Sequence, residues 1–309
     1  MGKNEPEQTI EGRKVTETLA QTYKQLYIAP GDDMLEKYND IVLKGKEPEK
    51  RDLSHFVTSD RDRLEYVGTP AGDVLCVTLF ERRDFETFLR IMANRCSMAD
   101  IPDTQGASIL DGVINWKKIN DHKEEFFREA EKNGILVPDW QTEFQNFTSD
   151  RNNFKDVLII LSVGPYSNTP AKDVGIPDDE WISLSHTIRK YHESTHFICR
   201  RKFREKINAV WDELVADAVG IYAAFGKPDT EMEKRFLGIE GEVYTGGRLE
   251  NYVEADDPGE KKEQLNILSS KIAGVLERFE KIMTDNKDAE PFDMTIILEG
   301  YMEELWTDK

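Results

Sequence analysis

From Asp178 to Asn208 the chain carries no proline and no glycine, and within that run two histidines stand four apart in His192-Glu193-Ser194-Thr195-His196. A stretch of this length with no breaker is one long helix. The acidic first turn Asp178-Asp179-Glu180, directly after Pro177, suits the positive end of its dipole. Residues four apart share a helix face, so both imidazoles point one way with Glu193 beside them. Two imidazoles at this spacing can grip a single metal ion, and the adjacent carboxylate can reach a water held by that ion. Zinc lowers the pKa of such a water from about 16 to roughly 7, after which a carboxylate can take its proton during attack on a polarised carbonyl.

A second run, Ala209–Phe225, is rich in Ala and Val and reads as a nearly buried helix, yet it holds Glu213 and Asp217. Burying two carboxylates costs several kcal/mol unless each is paired or bound to metal. The cost disappears if one of them is a third protein ligand and the other accepts a hydrogen bond from a ligating imidazole. The expected ion is Zn2+, gripped by His192 and His196 with Glu193 beside it.

Upstream, residues 7–28 show helical spacing in Ile10, Val15, Leu19, Tyr23 and Leu26, and a short helix is expected near 33–44. Asp73–Phe80 reads as a buried strand and a helix follows at about 82–95. Residues 98–117 are rich in turn formers and read as an ordered loop with room for one short strand, with Asn115 and Trp116 as candidate cleft residues. Helices follow at 120–134 and 139–147. Asp156–Val163 is the most hydrophobic strand, closed by Gly164-Pro165. Beyond 178 the chain reads as helical except near 239–250, with helices at 259–284 and 292–306 packing as a pair. Strands before the motif and helices after it make this an α+β chain, with a mixed N-terminal lobe over 1–150 and a mainly helical, metal-binding lobe over 151–309. The two can equally form one continuous two-lobed domain.

The 60 acidic residues outnumber 41 basic ones, for a net charge of −19. A polyanion repels phosphate backbones and anionic lipid, so neither nucleic acid nor a membrane surface is expected as partner. The densest basic run, Arg200, Arg201, Lys202, Arg204 and Lys206, reads as a solvated helix face. Cys76, Cys96 and Cys199 form no CxxC pair, which is the usage of a reducing compartment. With no secretory h-region and no bilayer-length apolar run, the expected location is cytoplasmic.

HExxH followed on a second helix by ExxxD resembles the gluzincin metallopeptidases, the thermolysin-like clan, over residues 156–217. The resemblance implies a zincin-like fold and a peptide or protein substrate. In it His192, His196 and Glu213 are ligands, Glu193 is the catalytic base, and Asp217 orients a ligating imidazole. It also implies that the strand at 156–163 is the edge strand along which substrate lies. The metzincin extension needs Gly at 199 and His at 202, where this chain has Cys199 and Lys202. Cys199 reads as a buried thiol, His186 as structural, and Asp212 as a capping or surface acid. The oxyanion formed on an attacked carbonyl needs a donor, and Tyr244 and Arg248, flanking Gly246-Gly247, are its candidates. Tyr222 reads as core, and Tyr166 is undecided. The expected activity is a zinc metallopeptidase or related amide hydrolase. Two alternatives stand beside it: a zinc-binding regulatory protein without turnover, and an interaction protein in which HExxH has no metal.

Overall fold

A computed structural model describes residues 9–203 and 208–306. The chain divides into two compact units. The first takes the residues up to Tyr66, Leu75–Gln105 and Ile109–Ser162; the second takes Val67–Val74, Gly106–Ser108 and everything from Val163 on. The division expected at residue 150 therefore falls after Ser162, and the strongest strand goes with the first unit. Arg204 and Lys206 of the basic run lie outside the described residues.

In chain order the elements of the first part are β1 (Ile10–Glu11), α1 (Lys14–Thr22), α2 (Leu35–Val42), β2 (Arg63–Thr69), β3 (Gly72–Leu79), α3 (Arg82–Met92), β4 (Ala107–Ile114), α4 (Trp116–Lys132), α5 (Trp140–Ser149) and β5 (Lys155–Ser162). The five strands form one mixed sheet in the order β1-β2-β3-β5-β4. β1 runs antiparallel to β2, and β3 runs parallel to β5 with Leu75 opposite Leu158 and Leu79 opposite Ser162. Leu158, Ile159, Ile160 and Leu161 are fully buried, which is how a strand covered on both faces reads in sequence. Phe85, Phe88 and Leu89 of α3 and Leu19 and Leu26 near α1 close this core.

Three expectations change here. β5 is an interior strand between β3 and β4, so it is not the edge strand that the gluzincin resemblance implies; the outer strand on that side is β4. The 98–117 region holds eight residues of strand, and Asn115 caps α4 through Lys118 N while also donating to Asp156. Trp116 gives its indole N–H to the Val42 carbonyl at 2.8 Å, so neither residue is a free cleft group. The helix expected from residue 7 starts at Lys14, because Ile10 and Glu11 pair with β2 instead.

The second unit is mainly helical: α6 (Ala171–Val174), α7 (Asp178–Lys202), α8 (Ala209–Phe225), α9 (Thr230–Leu237), a two-residue-per-strand hairpin β6 (Ile239–Glu240) and β7 (Val243–Tyr244), then α10 (Pro258–Asp285), α11 (Pro291–Glu299) and α12 (Met302–Leu305). Asn208 caps α8 by accepting from Val210 N and Trp211 N, and Gly226 ends it in the left-handed region. α8, α10 and α11 share one core built on Trp211, Leu214, Leu276, Phe279 and Met294. Among the described residues no helix is long and apolar enough to cross a membrane.

Candidate metal centre

α7 and α8 lie antiparallel at unusually short range, and Gly220 is the reason. A Cβ at that position would stand 2.8 Å from the Ile188 carbonyl oxygen. With Ile188 opposite Gly220, the next turn of α7 sets His192 against Asp217, and the turn after sets His196 against Asp212 and Glu213. Buried imidazoles and carboxylates thus meet in pairs along one seam.

The three expected ligands converge. His192 Nε2 and His196 Nε2 are 3.0 Å apart, Glu213 Oε2 is 3.6 Å from the former, and Glu213 Oε1 is 3.4 Å from the latter. Three atoms each at about 2.0–2.1 Å from a tetrahedral ion would stand roughly 3.3 Å from one another. The triangle has that size. It is a buried His-His-Glu group that can hold a metal ion.

The outer nitrogens decide what faces inward. His192 Nδ1 lies 2.9 Å from Asp217 Oδ1, and His196 Nδ1 lies 2.8 Å from Asp212 Oδ2. A carboxylate only accepts, so each Nδ1 carries a hydrogen, and each Nε2 is turned toward Glu213. Two Nε2 atoms and a carboxylate at 3.0–3.6 Å need positive charge among them, either a proton on an imidazole or a bound cation. Burial opposes charge on His196, but hydrogen bonds and charges from Asp212 and Glu213 outweigh it and lift that imidazole well above its usual range. Burial likewise opposes charge on Glu213, and the His196 hydrogen bond, then the charges of His192, His196 and Arg248, drive its carboxyl far below the ordinary value. The cluster gathers positive charge about its carboxylates by whatever means it has, and a divalent ion would supply that charge directly.

Asp217 is fully buried and anchored three ways. It accepts from His192, from the Tyr166 hydroxyl at 2.6 Å, and from Arg248 Nη2 in an ion pair. Arg248 Nη1 also reaches the Tyr166 hydroxyl at 3.4 Å. Burial would raise the Asp217 carboxyl, but Arg248 and His192 keep it below its ordinary value. Tyr166 is itself held in place from α7: its N–H donates to Ser185 Oγ at 2.9 Å, and Arg189 grips the Gly164 and Pro165 carbonyls at 2.5 and 2.6 Å.

Of the two expected oxyanion donors, neither is free. Tyr244 turns into its own loop, where its hydroxyl donates to the Gly247 carbonyl (3.0 Å) or to Glu250 (3.2 Å) and accepts from the Gly247 N–H (2.9 Å). Arg248 reaches the site but on the far side of His192, committed to Asp217. A second tyrosine near the ligand group is Tyr252, its hydroxyl raised by burial and by the Glu213 charge. The loop that carries Arg248 and Tyr252 is pressed on the end of α9 by glycine. At Gly238 (φ 82°) a Cβ would lie 2.3 Å from the Gly246 carbonyl oxygen, and one at Gly247 would lie 2.6 Å from Gly238 N.

Asp212 corrects the sequence reading: it is buried and serves His196 as Asp217 serves His192. Its signal was present, since a second ligating imidazole one turn along α7 needs an acceptor one turn back on α8. Cys199 is a buried thiol beside Glu299, pushed up by burial. Glu193 is partly exposed on α7 and makes no hydrogen bond or ion pair with any described residue. His186 lies outside the ligand group. Tyr222 donates to the Lys287 and Ala289 carbonyls, as a core residue.

Residues 5–307 match a family of unknown function, DUF7005, and the chain belongs to that family. Comparison with curated proteins and with solved structures finds no match.

Proposed function

We propose that this member of DUF7005 is a zinc-dependent hydrolase of peptide or related amide bonds, with a zincin-like arrangement of α7 and α8. One observation carries the reading: both Nε2 atoms and the Glu213 carboxylate face one point, while each Nδ1 is held by a buried aspartate. Two histidines and one carboxylate leave a fourth tetrahedral position open, which is the ligand count of catalytic rather than structural zinc. His192, His196 and Glu213 would hold the ion, whose chemistry there would be to polarise a carbonyl and to acidify a water toward neutral pH.

The chain's own residues would then divide the work. Asp212 and Asp217 fix the two imidazole rings, and Tyr166 and Arg248 fix Asp217 in turn. Glu193, unencumbered and next to His192, takes the proton from the attacking water and returns it to the leaving amine. Tyr252, at Glu213, is the donor best situated to stabilise charge on the attacked carbonyl oxygen.

The test joins metal analysis of the purified protein with turnover of a peptide library by wild type and Glu193→Gln. One zinc per chain in both proteins, with turnover in wild type alone, supports the proposal. One zinc per chain without turnover in either favours a zinc-binding regulatory protein, a reading supported by Arg248 and Tyr244 both being committed to protein partners. No bound metal at all sinks both.

A further inference from the structure

The first unit contains a cavity of about 400 Å³ walled by six consecutive residues of β4, Ile109–Ile114, together with α2 and the end of α3. Its size falls in the range of small-molecule pockets, roughly 300–1,000 Å³. The wall is largely aliphatic: Val42, Met92, Leu110, Val113 and Ile114 all face it. Among the described residues β4 is the outer strand of the sheet, paired with β5, and the main-chain groups on its other edge have no strand partner there.

Three polar side chains stand in this wall without a protein partner. Gln25 is only 4% exposed, yet its amide makes no hydrogen bond to any described residue. Asn39, partly buried on α2, makes no side-chain hydrogen bond either. Arg95 forms no ion pair or hydrogen bond with a described residue, although the chain carries an excess of acid. The nearby acidic groups do not cancel it: Asp111 is paired with Arg151 at 3.0 Å, and burial pushes the Cys96 thiol up to about 12, so it stays uncharged. Arg95 and Cys96 both adopt left-handed backbone angles (φ 53° and 63°), a conformation that side chains other than Gly and Asn seldom take and that the turn after α3 imposes here.

We propose that this cavity binds a small organic carboxylate with an apolar tail. Arg95 takes the carboxylate, Gln25 and Asn39 supply further hydrogen bonds, and the aliphatic wall takes the tail. Unpartnered polar groups beside an aliphatic wall match an amphipathic anion. A cation would find no free carboxylate there, and a purely apolar molecule would leave the Gln25 amide unsatisfied. The site lies wholly within the first unit and does not depend on the metal centre.

The test is calorimetric titration of octanoate into full-length protein freed of metal with chelator, with 1-octanol and octylamine as comparators. Octanoate should bind at least 10-fold tighter than either. Arg95→Asn removes the charge while keeping a residue that tolerates the left-handed backbone, and it should cost 10-fold or more, about 1.4 kcal/mol. Ala93→Trp, at an exposed wall position, should abolish binding by filling the cavity. Both variants should melt like wild type. The proposal is overturned if octanoate does not bind, if octylamine binds equally well, or if both variants bind as wild type does. Binding lost in His196→Ala instead would assign the carboxylate to the metal centre and overturn it as well.

Discussion

Replacing Gly220 by alanine tests whether the spacing of two helices sets the metal geometry. In an ordinary helix interior this exchange stabilises by about 0.8–1.0 kcal/mol. Here the new methyl would stand 2.8 Å from the Ile188 carbonyl oxygen and 3.1 Å from Ile188 Cγ2, whereas relaxed contacts lie at about 3.5–4.0 Å. The obstacle is backbone, so the helices themselves must part by roughly 0.7 Å or more to reach a relaxed contact. Overpacking of this kind costs about 1–3 kcal/mol, which leaves a net loss of about 0–2 kcal/mol after the helix-propensity gain. Metal binding should suffer more than folding. His192 is one turn from Ile188 on α7 while Glu213 is on α8, so parting the helices separates donors whose distances tolerate only about 0.2 Å of error. Urea denaturation in the presence of chelator reads the first effect, and competition for zinc against a chromophoric chelator reads the second, with an expected loss of about 10-fold or more. A variant about 0.8 kcal/mol more stable than wild type, with undiminished zinc affinity, would refute the reasoning.

Asp212→Asn and Asp217→Asn should each lower zinc affinity by about 10–100-fold, because each replaces the charged acceptor behind one imidazole with a neutral amide; an Asp212 variant with wild-type affinity would return that residue to the surface. Tyr252→Phe should cut kcat by about 10²–10³ with zinc retained, while Tyr244→Phe, whose hydroxyl serves only its own loop, should change it little. Steady-state kinetics on both separates them. Glu233 is wholly buried, and burial, then the Asp217 charge, hold its carboxyl well above the ordinary range against the pull of Arg248. A carboxyl with a raised folded value contributes full stability below its unfolded value of about 4.3 and loses it as pH rises toward the folded value. Glu233→Gln should therefore gain on wild type as pH climbs from 5 to 8, by at most about 1.4 kcal/mol per unit. Denaturation curves in chelator that stay parallel across that range would exclude this role.

The fold was most legible where burial and periodicity agree. β5 and β3 are continuous apolar runs that sequence places within a residue, and α7 starts at Asp178 as expected but ends at Lys202, short of the breaker-free run to Asn208. What sequence could not supply is neighbourhood. β2 alternates weakly, and only pairing with β1 and β3 makes it a strand. Ile10 and Glu11 carry a helical spacing that a strand partner overrides. Whether β5 is an edge or an interior strand depends on where β4 lies, and a segment full of turn formers hides β4 from any propensity argument. The residues around Trp116 looked available because an aromatic after a loop often is; in the fold it seals α2 instead.

The metal centre divides along the same line, by whether a residue answers to helix geometry or to loop geometry. In the seam of α7 against α8, paired positions run 188 with 220, 192 with 217, and 196 with 212 and 213, so each step of one turn forward on α7 is about one turn back on α8. Once two histidines and Glu213 are taken to share an ion, that register requires an acceptor for His196 near residue 212, just as it requires Asp217 for His192. Asp212 was therefore derivable, and the error was to weigh it by its position on one helix in isolation. Arg248, Tyr252 and Tyr166 obey no such register. Their places depend on a backbone crossing at Gly238 and Gly247 and on Arg189 clamping two carbonyls, contacts between segments far apart in sequence. A tyrosine and an arginine near a pair of glycines are recognisable as candidates. Which tyrosine meets the ligand, and whether the arginine faces the ion or the aspartate behind it, is decided only when those segments meet.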